Sequence, residues 1–102
     1  MRMHWHLATR FHARLRGLLG SAPPRPGHAL LLRPCSAVHT FGMRFPIDVV
    51  FMNRAGMVLR VCVAVPPMRV RACWRAGMVA ELAAGEAVRL MIAAGTYMTL
   101  PG

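Results

Sequence analysis

The chain has 102 residues, the size of one domain with a modest hydrophobic core. Hydrophobic residues make up 56% of it, so the chain can bury enough apolar surface to fold, which excludes intrinsic disorder. Its 13 basic residues, all arginine, outnumber 3 acidic residues, and the formal net charge is +10. This charge favours anionic partners, but the arginines are spread along the sequence, so at most non-specific binding of nucleic acid is expected.

The sequence shows no sign of membrane insertion or of disulfide bonding. Its longest uninterrupted apolar runs, such as residues 61–65, have the length of a strand and are far too short for a transmembrane helix. The N-terminal residues lack the pattern of a secretory signal, so we expect a cytoplasmic protein. Cys35, Cys62 and Cys73 form no Cys-x-x-Cys pair, which favours reduced thiols.

The first predicted element is an amphipathic helix over residues 7–19. Leu7, Phe11 and Leu15 recur at helical spacing, and arginines fall mostly on the opposite side. Gly20 and a proline-rich loop end the helix, and residues 1–6 precede it as a flexible extension. Its apolar face is expected to pack on the domain's own core, although it would serve a dimer equally well, which leaves the oligomeric state open.

The rest of the chain is typical of short strands separated by turns. The predicted strands cover residues 29–32, 47–52, 57–65, 78–82 and 97–100, with one helical turn within 86–91. Apolar residues occupy both faces of 47–52, so this strand should be central, and Asn53 and Gly56 predict a hairpin to the next strand. The pattern predicts a mainly β sandwich or barrel, in a single domain over residues 1–102.

The segment 34–51 contains the residues with the clearest chemical potential. Asp48 lies among apolar residues in a strand that is predicted to be buried, so its carboxylate must find hydrogen-bond donors or a cation. One interpretation is structural: Asp48 accepts hydrogen bonds from the backbone or from His39 and ties the 35–45 connection to the sheet.

A second interpretation is a binding site for a small ligand, a metal or a protein, formed by the 35–48 segment. Such sites combine a few convergent polar groups with apolar walls. The predicted contacts are His39, Thr40, Met43, Asp48 and Glu81, with Phe41 and Phe45 as further walls. An alternative is an accessory protein that binds a protein or an anionic partner through its arginines.

A third interpretation is a hydrolase or transferase that uses Cys35, His39 and Asp48. Cys35 would be the nucleophile, His39 the base and Asp48 the group that orients the imidazole. The same three side chains offer a mixed set of metal ligands, but without a paired motif the sequence predicts no specific metal or cofactor.

The sequence resembles the domain of unknown function 192 family, which is widespread in bacteria and archaea. The resemblance is carried by residues 38–51, VHTFGMRFPIDVVF, and by 16–20, RGLLG. It continues in residues 30–35, which resemble the family's first strand and the motif after it, and in 80–85, AELAAG, which resemble its LEL-x-AG segment.

This resemblance implies a small β-sandwich or jelly-roll-like domain, and the family has no established activity. Many relatives carry a secretion signal or a lipoprotein leader. Two segments depart from the family pattern: residues 52–56 read MNRAG where relatives have LD-x-x-G, and 95–96 read GT where relatives have GD. Each change removes a carboxylate, which contributes to the strongly basic character of this chain.

Overall fold

The structure is a computed structural model that describes residues 3–8 and 24–101. Within these residues the chain forms seven strands and one short helix, which confirms the mainly β class predicted from the sequence. The elements are β1 (His4–Ala8), β2 (His28–Leu32), β3 (Ala37–His39), β4 (Ile47–Met52), β5 (Val58–Val65), β6 (Val70–Ala72), β7 (Met78–Ala83) and α1 (Glu86–Arg89). No helix in the described part of the chain has the length and hydropathy needed to cross a membrane.

The described strands form two sheets. The larger has five strands in the order β1-β2-β7-β4-β5, and β1 pairs with β2 in parallel while the other neighbours are antiparallel. The smaller is the antiparallel pair of β3 and β6, in which Val38 lies opposite Arg71 and His39 opposite Val70. β4 is buried at all six positions, as expected for a central strand that packs on both of its faces.

The two faces of the large sheet carry two separate hydrophobic clusters. The first core is centred on Ile47, Val49 and Phe51, and Val38 of β3 packs into it, so the small sheet covers this face. The second core, on the opposite face, contains Val50 and Met52 together with apolar side chains of β2 and β7. Because successive residues of a strand point to opposite faces, each residue of β4 is assigned to one core or the other.

The turn between β4 and β5 shows why the predicted hairpin forms. The Asn53 side-chain Oδ1 accepts hydrogen bonds from the backbone N–H groups of Ala55 and Met57, at 2.9 and 3.0 Å. Gly56 has φ of +90°, and a Cβ at this position would lie 3.0 Å from the carbonyl oxygen of Met98. The asparagine and the glycine therefore have separate roles in this turn, since one supplies an acceptor and the other tolerates the backbone angle.

The structure differs from the predicted elements at the two ends of the chain. Residues 97–100 form no strand, and only an isolated bridge joins Tyr97 to Met57. Leu7, the first residue of the predicted helix, lies in β1, and the rest of that helix falls outside the described residues except Ala8, which also belongs to β1. The strands β3 and β6, three residues each, were not predicted, because such short segments carry too little periodicity to be recognised.

Candidate functional site

Asp48 is fully buried on the second-core side of the large sheet. In the β4–β7 pairing it lies opposite Leu82, a member of the second core. Its Oδ1 accepts a hydrogen bond from the Ala64 N–H at 2.8 Å, and its Oδ2 accepts from Gly85 and Ala87 at 3.0 and 2.9 Å. The carboxylate thus joins an irregular point of β5 to the start of α1, and its partners are backbone groups outside the 35–45 connection.

Cys35 lies on the other side of the large sheet. It is buried in the first core, and its Sγ donates a hydrogen bond to the Ala37 carbonyl oxygen at 3.1 Å. Since Cys35 and Asp48 belong to opposite faces, the fold does not bring together the predicted group of Cys35, His39 and Asp48. Within the described residues, no group of three or more His, Cys, Asp or Glu side chains is arranged to hold a metal ion.

Glu81 and Met43 also lie inside the fold. Glu81 is buried in β7 opposite Val49, which places it on the first-core side and away from Asp48. Met43 packs within the first core. Of the residues predicted to contact a ligand, these two, Asp48 and Thr40 are enclosed by the protein.

Thr40 is buried and joins the two loops that flank the small sheet. Its Oγ1 donates to the Pro66 carbonyl oxygen at 2.7 Å and accepts from the Arg69 N–H at 2.9 Å. Its own backbone N–H donates to the Arg69 carbonyl oxygen at 2.9 Å. Because the buried Thr40 hydroxyl both donates and accepts a hydrogen bond, this side chain holds the loop after β3 against the loop before β6.

His39 is the predicted polar contact that remains exposed. Its imidazole lies on the outward side of β3, and the ring stacks on Phe41 with centroids 5.0 Å apart. Its Nδ1 accepts a hydrogen bond of 3.3 Å from the Phe41 N–H. The neighbouring exposed side chains come from β6 and its flanking loops, a region where the sequence pattern predicted no site.

We define the β3–β6 face as the exposed surface formed by His39, Phe41, Met68, Val70 and Trp74. His39 and Val70 are directly opposite each other in the register of the small sheet. Phe41 follows β3 at one end of the strand pair, whereas Trp74 follows β6 at the other end. The alternation Val-Arg-Ala at residues 70–72 was the available sequence signal for this surface, but it spans only three residues.

The charges of the protein are segregated between its interior and its surface. Its 3 acidic residues are all buried, namely Asp48, Glu81 and Glu86. By contrast, the arginines around the β3–β6 face are mostly exposed, and several donate hydrogen bonds to backbone carbonyl oxygens. These bonds join Arg60 to Ala72, Arg69 to Met68, and Arg71 to Val70. The exposed charge near this face is therefore positive, with no neighbouring acidic side chain on the surface to compensate it.

Glu86, the first residue of α1, accepts hydrogen bonds from the loop before β2 and from Arg89. Its Oε1 accepts a 2.6 Å hydrogen bond from the Gly27 N–H, and its Oε2 pairs with Arg89 Nε at 2.5 Å. The hydrogen bond from Arg89 lowers the pKa of Glu86, and the same contact raises the pKa of Arg89. This pair fastens α1 to the loop before β2.

A groove of about 1060 Å³ lies beside β1, between this strand and the C-terminal segment. Three imidazoles lie at its edge, and His28 is 4.8 Å from His4 and 5.2 Å from His6 between ring centroids. His6 Nε2 and His28 Nδ1 are 2.9 Å apart, a hydrogen bond that requires one donor and one acceptor. Desolvation, and then the nearby imidazoles of His4 and His6, lower the pKa of His28.

The lowered pKa of His28 should make stability fall as the pH decreases. Because the folded-state pKa of His28 lies below its ordinary value of 6.5, the unfolded chain takes up the proton more readily. The stability advantage of the wild type over His28→Gln should therefore shrink between about pH 7.5 and about pH 5. Urea unfolding of both proteins across this range tests the expectation, and an advantage that stays constant or grows on acidification would contradict it.

The described architecture and surface define a small, mainly β domain with one exposed aromatic face and a basic exterior. The model of the DUF192 family, described as an uncharacterised ACR, matches residues 1–100. The chain belongs to this family. No curated protein matches the chain significantly.

Two solved structures share the fold. A protein of unknown function from Novosphingobium aromaticivorans DSM 12444 superposes with a TM-score of 0.78 at 18% identity, covering 93% of this chain and 73% of that one. A protein from Sinorhizobium meliloti 1021, described as a candidate transcription regulator, gives a TM-score of 0.78 at 21% identity, covering 91% of this chain and 78% of that one. At these identities the comparison establishes the common fold alone.

Proposed function

We propose that this protein is a non-catalytic binding domain whose β3–β6 face contacts an anionic partner. The observation that carries the proposal is the charge segregation: every acidic side chain of the protein is buried, and exposed arginines surround the exposed aromatic surface. A positive surface of this kind attracts an anionic partner over several ångströms and accelerates association.

The composition of the β3–β6 face supports a binding role. Met68 is 63% exposed and Trp74 is 83% exposed, although both side chains are large and apolar. Binding surfaces are enriched in aromatic residues, methionine and arginine, and their energetic centres are most often tryptophan, tyrosine or arginine. Binding surfaces are also depleted in lysine, aspartate and glutamate. The sequence contains no lysine, and the β3–β6 face carries no acidic side chain.

The arginines near the face retain donors for a partner. Arg69 Nη1 lies 3.2 Å from the Met68 carbonyl oxygen, and Arg60 Nη1 lies 2.6 Å from that of Ala72. A guanidinium group has five N–H donors, so these backbone contacts leave most of them available. Carboxylate or phosphate oxygens on a partner would make shorter, charge-assisted hydrogen bonds with them.

The positions of Cys35 and Asp48 support binding over nucleophilic catalysis. A thiol needs a base within hydrogen-bond reach, and the base needs a third group to orient it. Here Cys35 donates to a backbone carbonyl within the first core, and Asp48 accepts three backbone N–H groups on the opposite face of the sheet. Both side chains are used to hold the fold.

Binding of a labelled heparin oligosaccharide, a generic polyanion, tests this proposal. Arg69→Gln and Arg75→Gln should each weaken binding by about 3- to 10-fold, because each removes one contact with the anion. Arg25→Gln is the matched control, since Arg25 is exposed and precedes β2, which pairs with the edge strand β1 on the far side of the sheet from β5. An equal loss in all three variants would mean that only the net charge matters and would refute the assigned surface.

A further inference from the structure

We propose that the partner of the β3–β6 face is a single-stranded nucleic acid whose bases stack on Trp74 and Phe41. This inference rests on the proposed function, because it names the chemical class of the anionic partner. It comes from the position of the aromatic rings among the arginines, a pattern that the sequence alone did not reveal because β6 was not recognised.

Trp74 has the geometry of a stacking platform. Its side chain is 83% exposed in the turn after β6, and the Arg75 guanidinium lies 4.9 Å from the ring centroid. A base can stack on an exposed indole whatever its identity, while an adjacent arginine contacts the phosphate backbone. Acidic side chains would neutralise the arginines but would supply no flat π surface for the indole.

Phe41 provides a second platform at the other end of the small sheet. It is 45% exposed and is held in place by the stacked imidazole of His39. Between Phe41 and Trp74 lie the outward positions of β3 and β6, where Val70 opposes His39 and Ala72 opposes Ala37. Only Ala37 and Ala72 are small, and an extended strand of a few nucleotides can run along this path, as on other sheet surfaces that bind single strands.

Arginines flank this path. Arg69 precedes Val70, Arg75 follows Trp74, and Arg60 of β5 reaches the Ala72 carbonyl oxygen at 2.6 Å. Phosphate contacts from such residues position a strand without selecting its sequence, while aromatic stacking distinguishes exposed bases from paired ones. Because a duplex hides the faces of its bases, single strands should bind in preference to duplexes of equal length.

Fluorescence anisotropy with a labelled oligothymidylate of about 12 nucleotides tests the inference, with a duplex of the same length and polyglutamate as comparison probes. Trp74→Ala should weaken oligothymidylate binding by about 5- to 30-fold, and Trp74→Phe should restore most of it. Tyr97→Ala is the matched control and should bind normally, because Tyr97 is 68% exposed but lines the groove beside β1.

The fluorescence of the two tryptophans gives an independent test of where the bases stack. Stacking on Trp74 should quench tryptophan emission on titration with oligothymidylate, and Trp5→Phe should keep this quenching while Trp74→Phe removes it. Trp5 is partly buried, and its Nε1 donates to the Thr99 carbonyl oxygen at 2.9 Å, so it is not placed to stack on a base.

Four outcomes separate this inference from the proposed function. If Trp74→Ala leaves oligothymidylate binding unchanged while Arg69→Gln weakens it, the base-stacking inference fails and the anion-binding function stands. Tighter binding of the duplex overturns the inference in favour of backbone contacts alone, and tighter binding of polyglutamate overturns it in favour of an acidic protein partner. If no probe binds in an arginine-dependent manner, both proposals fail.

Discussion

Replacing Asp48 with alanine should lower the free energy of unfolding by about 2–4 kcal/mol, one of the two largest effects expected for a single substitution in this protein. The carboxylate accepts hydrogen bonds from the N–H groups of Ala64, Gly85 and Ala87. Removing it leaves these donors without their acceptor and opens a cavity beside the second core. Urea unfolding followed by circular dichroism measures the loss.

The reason for so large an effect is that Asp48 holds two unusual backbone conformations at once. Ala64 has φ of +49° in a stretch where the β4–β5 register shifts, and Gly85, just before α1, has φ of +96°. A non-glycine residue at positive φ is unfavourable unless its surroundings fix it. The hydrogen bond to the Ala64 N–H compensates for this conformation and accounts for the irregular pairing at this point.

Asp48→Asn is the matched comparison because it keeps the shape of the side chain. An asparagine has one acceptor oxygen and one NH₂ group, so at least one backbone donor would face another donor. We therefore expect the Asp48→Asn variant to be destabilised as well, although without the cavity of the alanine variant. An alanine variant as stable as the wild type would show that water replaces the carboxylate and that Asp48 is not required to hold the fold.

The sequence predicted the burial of Asp48 but could not identify its partners. Its position among apolar residues in a central strand was enough to infer enclosure and the need for donors. The donors lie 16, 37 and 39 residues further along the chain, and their approach depends on the pairing of β4 with β5 and β7. No local pattern encodes such a distance, and the nearby His39 was therefore the more obvious candidate.

Most of the residues in the segment that carries the family resemblance stabilise the fold and do not line an exposed site. Thr40, Met43 and Asp48 are buried, and Gly42 has φ of +84° in the turn after β3. These residues determine how the connection crosses the first core and enters β4, so a sequence match there identifies the fold. The exposed surface depends on the short strand β6, whose three residues the sequence pattern did not distinguish from a loop.

Thr40→Val should lower the free energy of unfolding by about 2 kcal/mol, because it preserves the shape of the side chain while removing its hydroxyl group. The Pro66 carbonyl oxygen would lose a 2.7 Å hydrogen bond and the Arg69 N–H a 2.9 Å one. Thr40→Ser keeps the hydroxyl and should cost less than about 1 kcal/mol, mainly through the lost methyl group.

The loss in Thr40→Val should be concentrated in the small sheet, because Thr40 joins the loop after β3 to the loop before β6. Hydrogen exchange should therefore accelerate first at the amides of Thr40 and Arg69, which take part in this contact. Since Phe41 and Met68 lie next to these two residues, heparin binding should weaken even where the protein remains folded. Uniformly faster exchange across both sheets, with unchanged binding, would show that Thr40 contributes to global stability alone and does not position the β3–β6 face.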